Sequence, residues 1–261
     1  MYSKAFTGLL MCCSLGLLFC RSQVRVPVNN TTQPSNHSAN PVPKSIAAIP
    51  LPDGFSRIPY SNNSFAHWLR QLPLKNDRTV YLYDGRVKPN QEAQYAVIDI
   101  SVGNKDLQQC ADAAMRLRAE YLYAQKEVES IRFIDNEAGV YTFQPPHTRV
   151  RFDAYLQRVF GMCGTASLAK QMHAKNFADM QPGDLLIRGG FPGHAVTVMD
   201  MAINPQGEKI YLLSQSYMPA QNIHILNNPT ADDGSPWYQL SSTGIIPTPE
   251  YRFYDHELKG W

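Results

Sequence analysis

Apolar positions along the chain recur with two periods. Ser64 followed by Phe65, Trp68, Leu69 and Leu72, with Pro73 behind them, reads as a short helix capped at Ser64. From Leu107 to Lys126, the residues Ala111, Ala114, Met115, Leu117, Tyr121 and Leu122 share one face at helical spacing and predict a longer helix. The span Phe152–His173 repeats that period through Tyr155, Leu156, Val159, Phe160, Cys163, Leu168 and Met172. Gly161 and Gly164 fall in its middle and each weakens a helix by about 1 kcal/mol against Ala, so it reads as one interrupted helix or as two.

The remaining apolar runs are short, rich in β-branched residues and bounded by turn formers. Thr79–Tyr83 and Tyr95–Ser101 read as strands. Ile131–Ile134 and Val140–Phe143 flank Asn136-Glu137-Ala138-Gly139 as a hairpin. A second group follows at Asp184–Arg188, Ala195–Met199, Lys209–Gln215 and Asn222–Leu226. Asn204-Pro205-Gln206-Gly207 turns the second of these back on the third. From Asn227 the tail is rich in Pro and Ser, with Trp237, Tyr238, Tyr251 and Phe253 as aromatic anchors. Helices first and an antiparallel meander after them argue for an α+β fold, an antiparallel sheet packed against helices.

The N-terminal residues follow a different rule. Lys4 precedes an apolar run from Ala5 to Phe19, which is too short for a comfortable transmembrane helix and predicts an export signal over residues 1–20. Cys20 closes that run as the modified cysteine of a bacterial lipoprotein would. Phe19 stands where such sites usually carry a small residue, so plain secretion is the alternative. Residues 21–50 are rich in Asn, Ser, Thr, Pro and Val and read as a disordered linker, which leaves residues 51–261 as a single α+β domain behind an N-terminal extension. The chain has 261 residues, 44% hydrophobic composition and a net charge of +2. It is long enough for a sizeable core and has no basic run, so nucleic acid is not expected as a partner. A membrane is expected as a partner only through such a lipid anchor at Cys20, if the lipoprotein reading holds over plain secretion.

Five cysteines are present, and Cys12, Cys13 and Cys20 belong to the signal. For Cys110 and Cys163 three readings stand: a packed thiol, a disulfide between the two, or a catalytic thiol. Cys110 falls where the Leu107 helix begins, where unpaired N–H groups and the helix dipole favour a thiolate. Gln109 stands directly before it, and a glutamine amide there could donate to an oxyanion. Cys163 lies mid-pattern on an apolar face, unless the helix breaks at Gly161 and restarts at Cys163. His194 follows Gly189, Gly190 and Gly193 and opens a strand, where a substrate could reach it. A histidine in a strand is otherwise most simply a satisfied structural residue. The Asn204–Gly207 turn brings Ser214 or Gln215 beside His194 as a third polar group. No histidines fall four apart on a helix and no Cys-x-x-Cys occurs, so neither a metal site nor a cofactor is expected.

The order of a helix cysteine, then PGDLL, then GHAVTV, then a returning strand with a polar end resembles the NlpC-type and CHAP-type cell-wall hydrolases. That resemblance implies a papain-like fold and a thiol hydrolase acting on an amide or peptide bond. Cys110 takes the first catalytic position, His194 the second and Gln215 the third. Ile131–His173 intervenes between the Cys110 helix and PGDLL, longer than the usual pattern, and Cys163 as nucleophile would shorten it. A cell-wall peptide or glycan is the partner implied. The alternative is a non-catalytic envelope protein that binds such a ligand on the same scaffold. From Leu51 to Trp261 the chain also resembles the domain-of-unknown-function family numbered 4846, in WLRQLPLK, QQCADAAMRLRAEYLY, PGHAVTVMDMA and LLSQSYMPAQ. Membership implies an exported bacterial protein.

Overall fold

The computed structural model describes residues 41–241 and 244–261. The expected signal at 1–20, Cys20 and the expected linker up to residue 40 lie outside the described residues. The linker reading is corrected at its end. Ile46–Ala48 form a 3-10 turn, and Ile46 and Ile49 are buried in one cluster with Leu69 and Leu72. Two isoleucines suffice to dock this polar segment, and the Ile46 N–H donates to the Leu72 carbonyl. The folded part therefore starts before Leu51.

Among the described residues there are four α-helices: α1 (Phe65–Arg70), α2 (Cys110–Ala124), α3 (Arg149–Met162) and α4 (Thr165–Gln171). Ser64 caps α1 by accepting the His67 N–H at 3.1 Å. The Phe152–His173 pattern is two helices. α3 ends at Met162, and α4 restarts after Cys163 and Gly164, whose extended backbones cannot continue a helix.

Thirteen strands are present among the described residues. The early ones are β1 (Ser56–Arg57), β2 (Gln94–Val97), and the hairpin β3 (Arg132–Ile134) and β4 (Val140–Thr142). β5 (His173–Ala174), β6 (Leu185–Arg188), β7 (His194–Ile203), β8 (Lys209–Gln215) and β9 (His224–Leu226) follow. The tail supplies β10 (Tyr238–Gln239), the hairpin β11 (Ile245–Pro247) and β12 (Arg252–Tyr254), and β13 (Leu258–Gly260). Nine of them form one sheet in the order β2-β9-β8-β7-β6-β13-β5, with β1 on β7 and β10 on β8, and every pairing is antiparallel. The protein is thus α+β around a large antiparallel sheet. Thr79–Tyr83 is not a strand. Its Asp84-Gly85 turn closes after single bridges from Tyr81 to Val87 and from Leu82 to Gln221.

β7 is buried along nine of its ten residues because both of its faces are covered. Ala195, Met199 and Ala202 face the side packed by α1 and α2, with Ala111 and Leu117 among the residues there. Val196, Val198 and Met201 face the other side, against Tyr211, Ile246 and Phe253. A strand covered on both faces reads as a continuous apolar run, and so this one does. β7 and β8 pair from Ile203 opposite Lys209 to Thr197 opposite Ser214, with a bulge between Val198 and Asp200. Beside the bulge, Asp200 is fully buried. It accepts Arg57 Nε at 2.9 Å and both Nε and Nη2 of Arg70, at 2.8 and 2.6 Å. Arg57 Nη2 continues to the carbonyls of Ile46 and Ile49, so one carboxylate ties the N-terminal segment, α1 and the central strand together.

Removing that carboxylate leaves two largely enclosed guanidinium groups without a counter-charge. Asp200→Ala is expected to destabilise the protein by about 3–5 kcal/mol, the usual cost of breaking a buried pair. Arg57→Ala, at the more exposed partner, should cost less. Urea denaturation of the two variants checks the order, and equal small losses would contradict it.

Candidate active site

α2 begins at Cys110. Its N-cap, Gln109, has an extended backbone, and the Gln109 N–H donates to Asp112 Oδ2 at 3.0 Å, the side chain three positions into the turn. The Cys110 sulfur faces the main-chain N–H groups of Ala111 and of Cys110 itself, as a helix start provides. It also faces the N–H of Ala195, the residue after His194. These donors favour the thiolate, but burial outweighs them and, with the Asp112 carboxyl nearby, pushes the thiol up to about 11.

His194 is the first residue of β7 and is 1% exposed. The rings of Tyr217, Tyr251 and Phe253 surround it, with centroids 4.9, 5.0 and 5.8 Å from the imidazole. The glycine loop before it needs its glycines. Gly190 has φ +118°, and a Cβ on Gly193 would collide with Thr165 Oγ1 and the Gly190 carbonyl. The loop is thereby seated on the start of α4, which fixes where β7 begins.

His194 Nε2 lies 2.8 Å from Oε1 of Gln215, the last residue of β8. Burial pushes the imidazole down to about 4, against the opposing pull of the Gln215 hydrogen bond. Gln215 Nε2 donates to Glu250 Oε2 at 2.7 Å and lies 3.4 Å from His224 Nε2. Glu250 also accepts Lys88 Nζ at 2.5 Å and Asn90 Nδ2 at 3.0 Å. His224 is fully buried, its Nδ1 is 2.9 Å from the Asn222 carbonyl, and burial pushes its imidazole down to about 3. A carboxylate only accepts, so Gln215 must turn its amide NH2 toward Glu250 and its oxygen toward His194. His194 therefore carries its proton on Nε2, and Nδ1 keeps a lone pair.

Cys110 opens onto a cleft of about 220 Å³ whose wall includes Asp112, Cys163, Thr165, Phe191 and Met218. Phe191 is fully exposed at its rim. Gln109 also lines the cleft, and at rest its Nε2 donates to Asp106 Oδ1 at 3.2 Å. Cys163 follows the last turn of α3, and burial pushes its thiol up to about 11. It shares the cleft with Cys110, and both are free thiols, with no disulfide between them. Asp112 Oδ1 is buried without a hydrogen-bond partner, and burial pushes that carboxyl well above the usual carboxylate range. Among the described residues no group of His, Cys, Asp and Glu is arranged to hold a metal ion.

The structure therefore brings Cys110, His194, Gln215, Gln109 and Cys163 to one end of the sheet. Sequence reasoning did not reach Glu250, Lys88, Asn90, His224 or Asp112. The only sequence signal for Asp112 is its place three residues after the N-cap. Glu250 sits in a Pro-rich tail with no periodicity to mark it. The fold and site define an α+β protein with a free cysteine at a helix start, whose sulfur faces the N–H of Ala195, and with a buried His194–Gln215 pair on neighbouring strands. The chain belongs to the family described as domain of unknown function (4846), whose model matches residues 46–145 and 134–260. No curated protein and no solved structure matches it.

The buried histidines make stability depend on pH. Unfolded, each binds its proton near 6.5, whereas in the fold His194 does so only near 4 and His224 near 3. Their contribution is complete above pH 6.5 and is lost as pH falls toward the folded values, by roughly 2 kcal/mol each between pH 7 and pH 5. Asp112 works in the opposite sense, because a raised carboxyl binds its proton in the fold before it does so in the unfolded chain. Urea unfolding at the two pH values should therefore show lower stability at pH 5, and Asp112→Asn should make the fall steeper. An unchanged slope in that variant would mean that Asp112 is ionised in the fold.

Proposed function

We propose that this protein is a papain-like, NlpC/CHAP-type cysteine hydrolase that cleaves an amide or peptide bond in a cell-wall peptide. The observation that carries the reading is the His194–Gln215 hydrogen bond, which leaves a lone pair on Nδ1 of the ring, while the N–H of the next residue, Ala195, faces the Cys110 sulfur at a helix start. In the reaction His194 Nδ1 takes the Cys110 proton as the sulfur forms its bond to the substrate carbonyl carbon. The developing oxyanion meets the Cys110 N–H, a donor of the first helical turn with no acceptor inside the helix, and the Gln109 amide if it leaves Asp106. The C–N bond then breaks, and the leaving amine takes the proton from Nδ1. Water attacks the thioester, giving one proton to Nδ1 while the C–S bond breaks, and the imidazolium returns its proton to the sulfur. Gln215 holds the ring throughout. Cys163 is the rival nucleophile, but it lacks the N–H groups of a helix start.

A second reading, a non-catalytic protein that binds such a ligand on the same scaffold, is favoured by the raised Cys110 thiol and the depressed His194 imidazole. On either reading we propose export, with Cys20 as the lipid-bearing residue. Among the described residues no helix is long and apolar enough to cross a membrane.

Cys110→Ala is expected to abolish release of new amino groups from purified peptidoglycan peptides while leaving thermal stability nearly unchanged. Gln215→Ala should lower kcat by about 100-fold, the low end of general-base contributions. Cys163→Ala should retain activity. Full activity in Cys110→Ala would end the catalytic reading. For the anchor, Cys20→Ala should abolish incorporation of labelled palmitate into the full-length chain, and incorporation that persists would remove Cys20 from that role.

A further inference from the structure

Gln215 is one amide that must do two opposite things, accept from His194 and donate elsewhere. An amide flips end for end with little change of shape, and a flipped Gln215 would offer NH2 to His194. It would then require a lone pair on Nε2 and move the ring proton to Nδ1, where it could not receive the thiol proton. Something must therefore choose the direction of this amide. Two groups beside it do. His224 gives its Nδ1 proton to the Asn222 carbonyl, at 2.9 Å, and so presents only a lone pair from Nε2 toward the Gln215 NH2. Glu250 accepts from the same NH2 at 2.7 Å and cannot donate back. Glu250 in turn is held by Lys88, whose ammonium is itself buried, at 2.5 Å, and by Asn90 at 3.0 Å. These residues come from distant parts of the chain and converge behind the imidazole, away from the residues that line the Cys110 cleft.

We propose that Glu250, clamped by Lys88 and Asn90, is a positioning residue that fixes the direction of the Gln215 amide and so holds His194 with its proton on Nε2 and a lone pair on Nδ1. This rests on the cysteine–histidine reading above for its catalytic consequence, though not for the tautomer itself. The effect works through direction and not through net charge, because Lys88 and Glu250 neutralise each other. The stronger of the two selectors is Glu250, since a charged acceptor at 2.7 Å outweighs a neutral ring nitrogen at 3.4 Å.

The test reads the ring directly. In full-length protein labelled with nitrogen-15 at histidine, the His194 shifts at pH 7 should show a neutral ring protonated on Nε2 alone. A wild-type ring protonated on Nδ1 would overturn the proposal without any variant. Lys88→Met combined with Glu250→Gln removes the acceptor-only group and leaves no buried ammonium unpaired. In that variant the His194 shifts should move toward a mixture of tautomers, and alkylation of Cys110 by iodoacetamide at pH 7 should slow by about tenfold, with circular dichroism unchanged. A folded double variant with the wild-type tautomer would refute the role of Glu250. The catalytic reading fails separately: if His194→Ala alkylates at Cys110 as fast as wild type, the imidazole does not serve the thiol, even where the tautomer is as proposed.

Discussion

The burial of β7 on both faces is the constraint from which the rest follows. A strand covered by helices on one side and by the C-terminal hairpin on the other cannot leave a polar side chain to water. Its ionisable residues must find partners inside the protein. At one end of the strand Asp200 does so with Arg57 and Arg70, which fastens α1 and the N-terminal segment to the sheet. At the other end His194 does so with Gln215, and Gln215 passes its own demand to Glu250, Lys88 and His224. Stability and the candidate chemistry thus share one cause. The same enclosure that makes these groups pair also moves their proton affinities, downward for the two histidines and upward for Cys110 and Asp112.

Much of this was legible in the chain because it is local. The period of Ala111, Met115 and Leu117 gives α2, and its start at Cys110 lies three residues after the expected Leu107. Asn204–Gly207 fixes the return of β8 on β7, and with it the approach of Gln215 to His194, because hairpin register is set by the turn. The break between α3 and α4 was open in the sequence, since two glycines weaken a helix without saying where it stops. The exclusion of residues 41–50 from the fold failed for a related reason: composition reports an average, and two isoleucines in a polar segment are enough to dock it. Thr79–Tyr83 has the residues of a strand but only single bridging partners, and pairing is a property of the partner as much as of the segment.

Glu250 and Lys88 were not legible for a deeper reason. They are 162 residues apart, and neither lies on an element whose period reveals an inward face. A half-buried carboxylate in a Pro-rich tail looks like any solvent-facing glutamate until the fold wraps the tail over β7. Long-range polar pairs of this kind are selected by tertiary geometry alone, so the second layer of a site is less visible in a single sequence than its reacting residues.

The enclosure also limits how the site could react. With the thiol near 11 and the imidazole near 4, the thiolate–imidazolium pair stands roughly 10 kcal/mol above the neutral pair, at about 1.4 kcal/mol for each pH unit. Attraction between the two new charges returns only part of this. The difference still favours the neutral form strongly. A preformed thiolate is therefore not the ground state of the free protein. Attack on a carbonyl would have to be concerted with transfer of the proton to Nδ1, so that negative charge passes to the substrate oxygen and never rests on sulfur. Under that requirement the direction of the His194 lone pair matters more than the acidity of the thiol. A ring with the wrong tautomer has nowhere to put the proton, whatever the pH. On the proposed catalytic reading, the hydrogen bonds behind the imidazole, from Gln215 to Glu250 and Lys88, would then govern reactivity more than the helix start at Cys110.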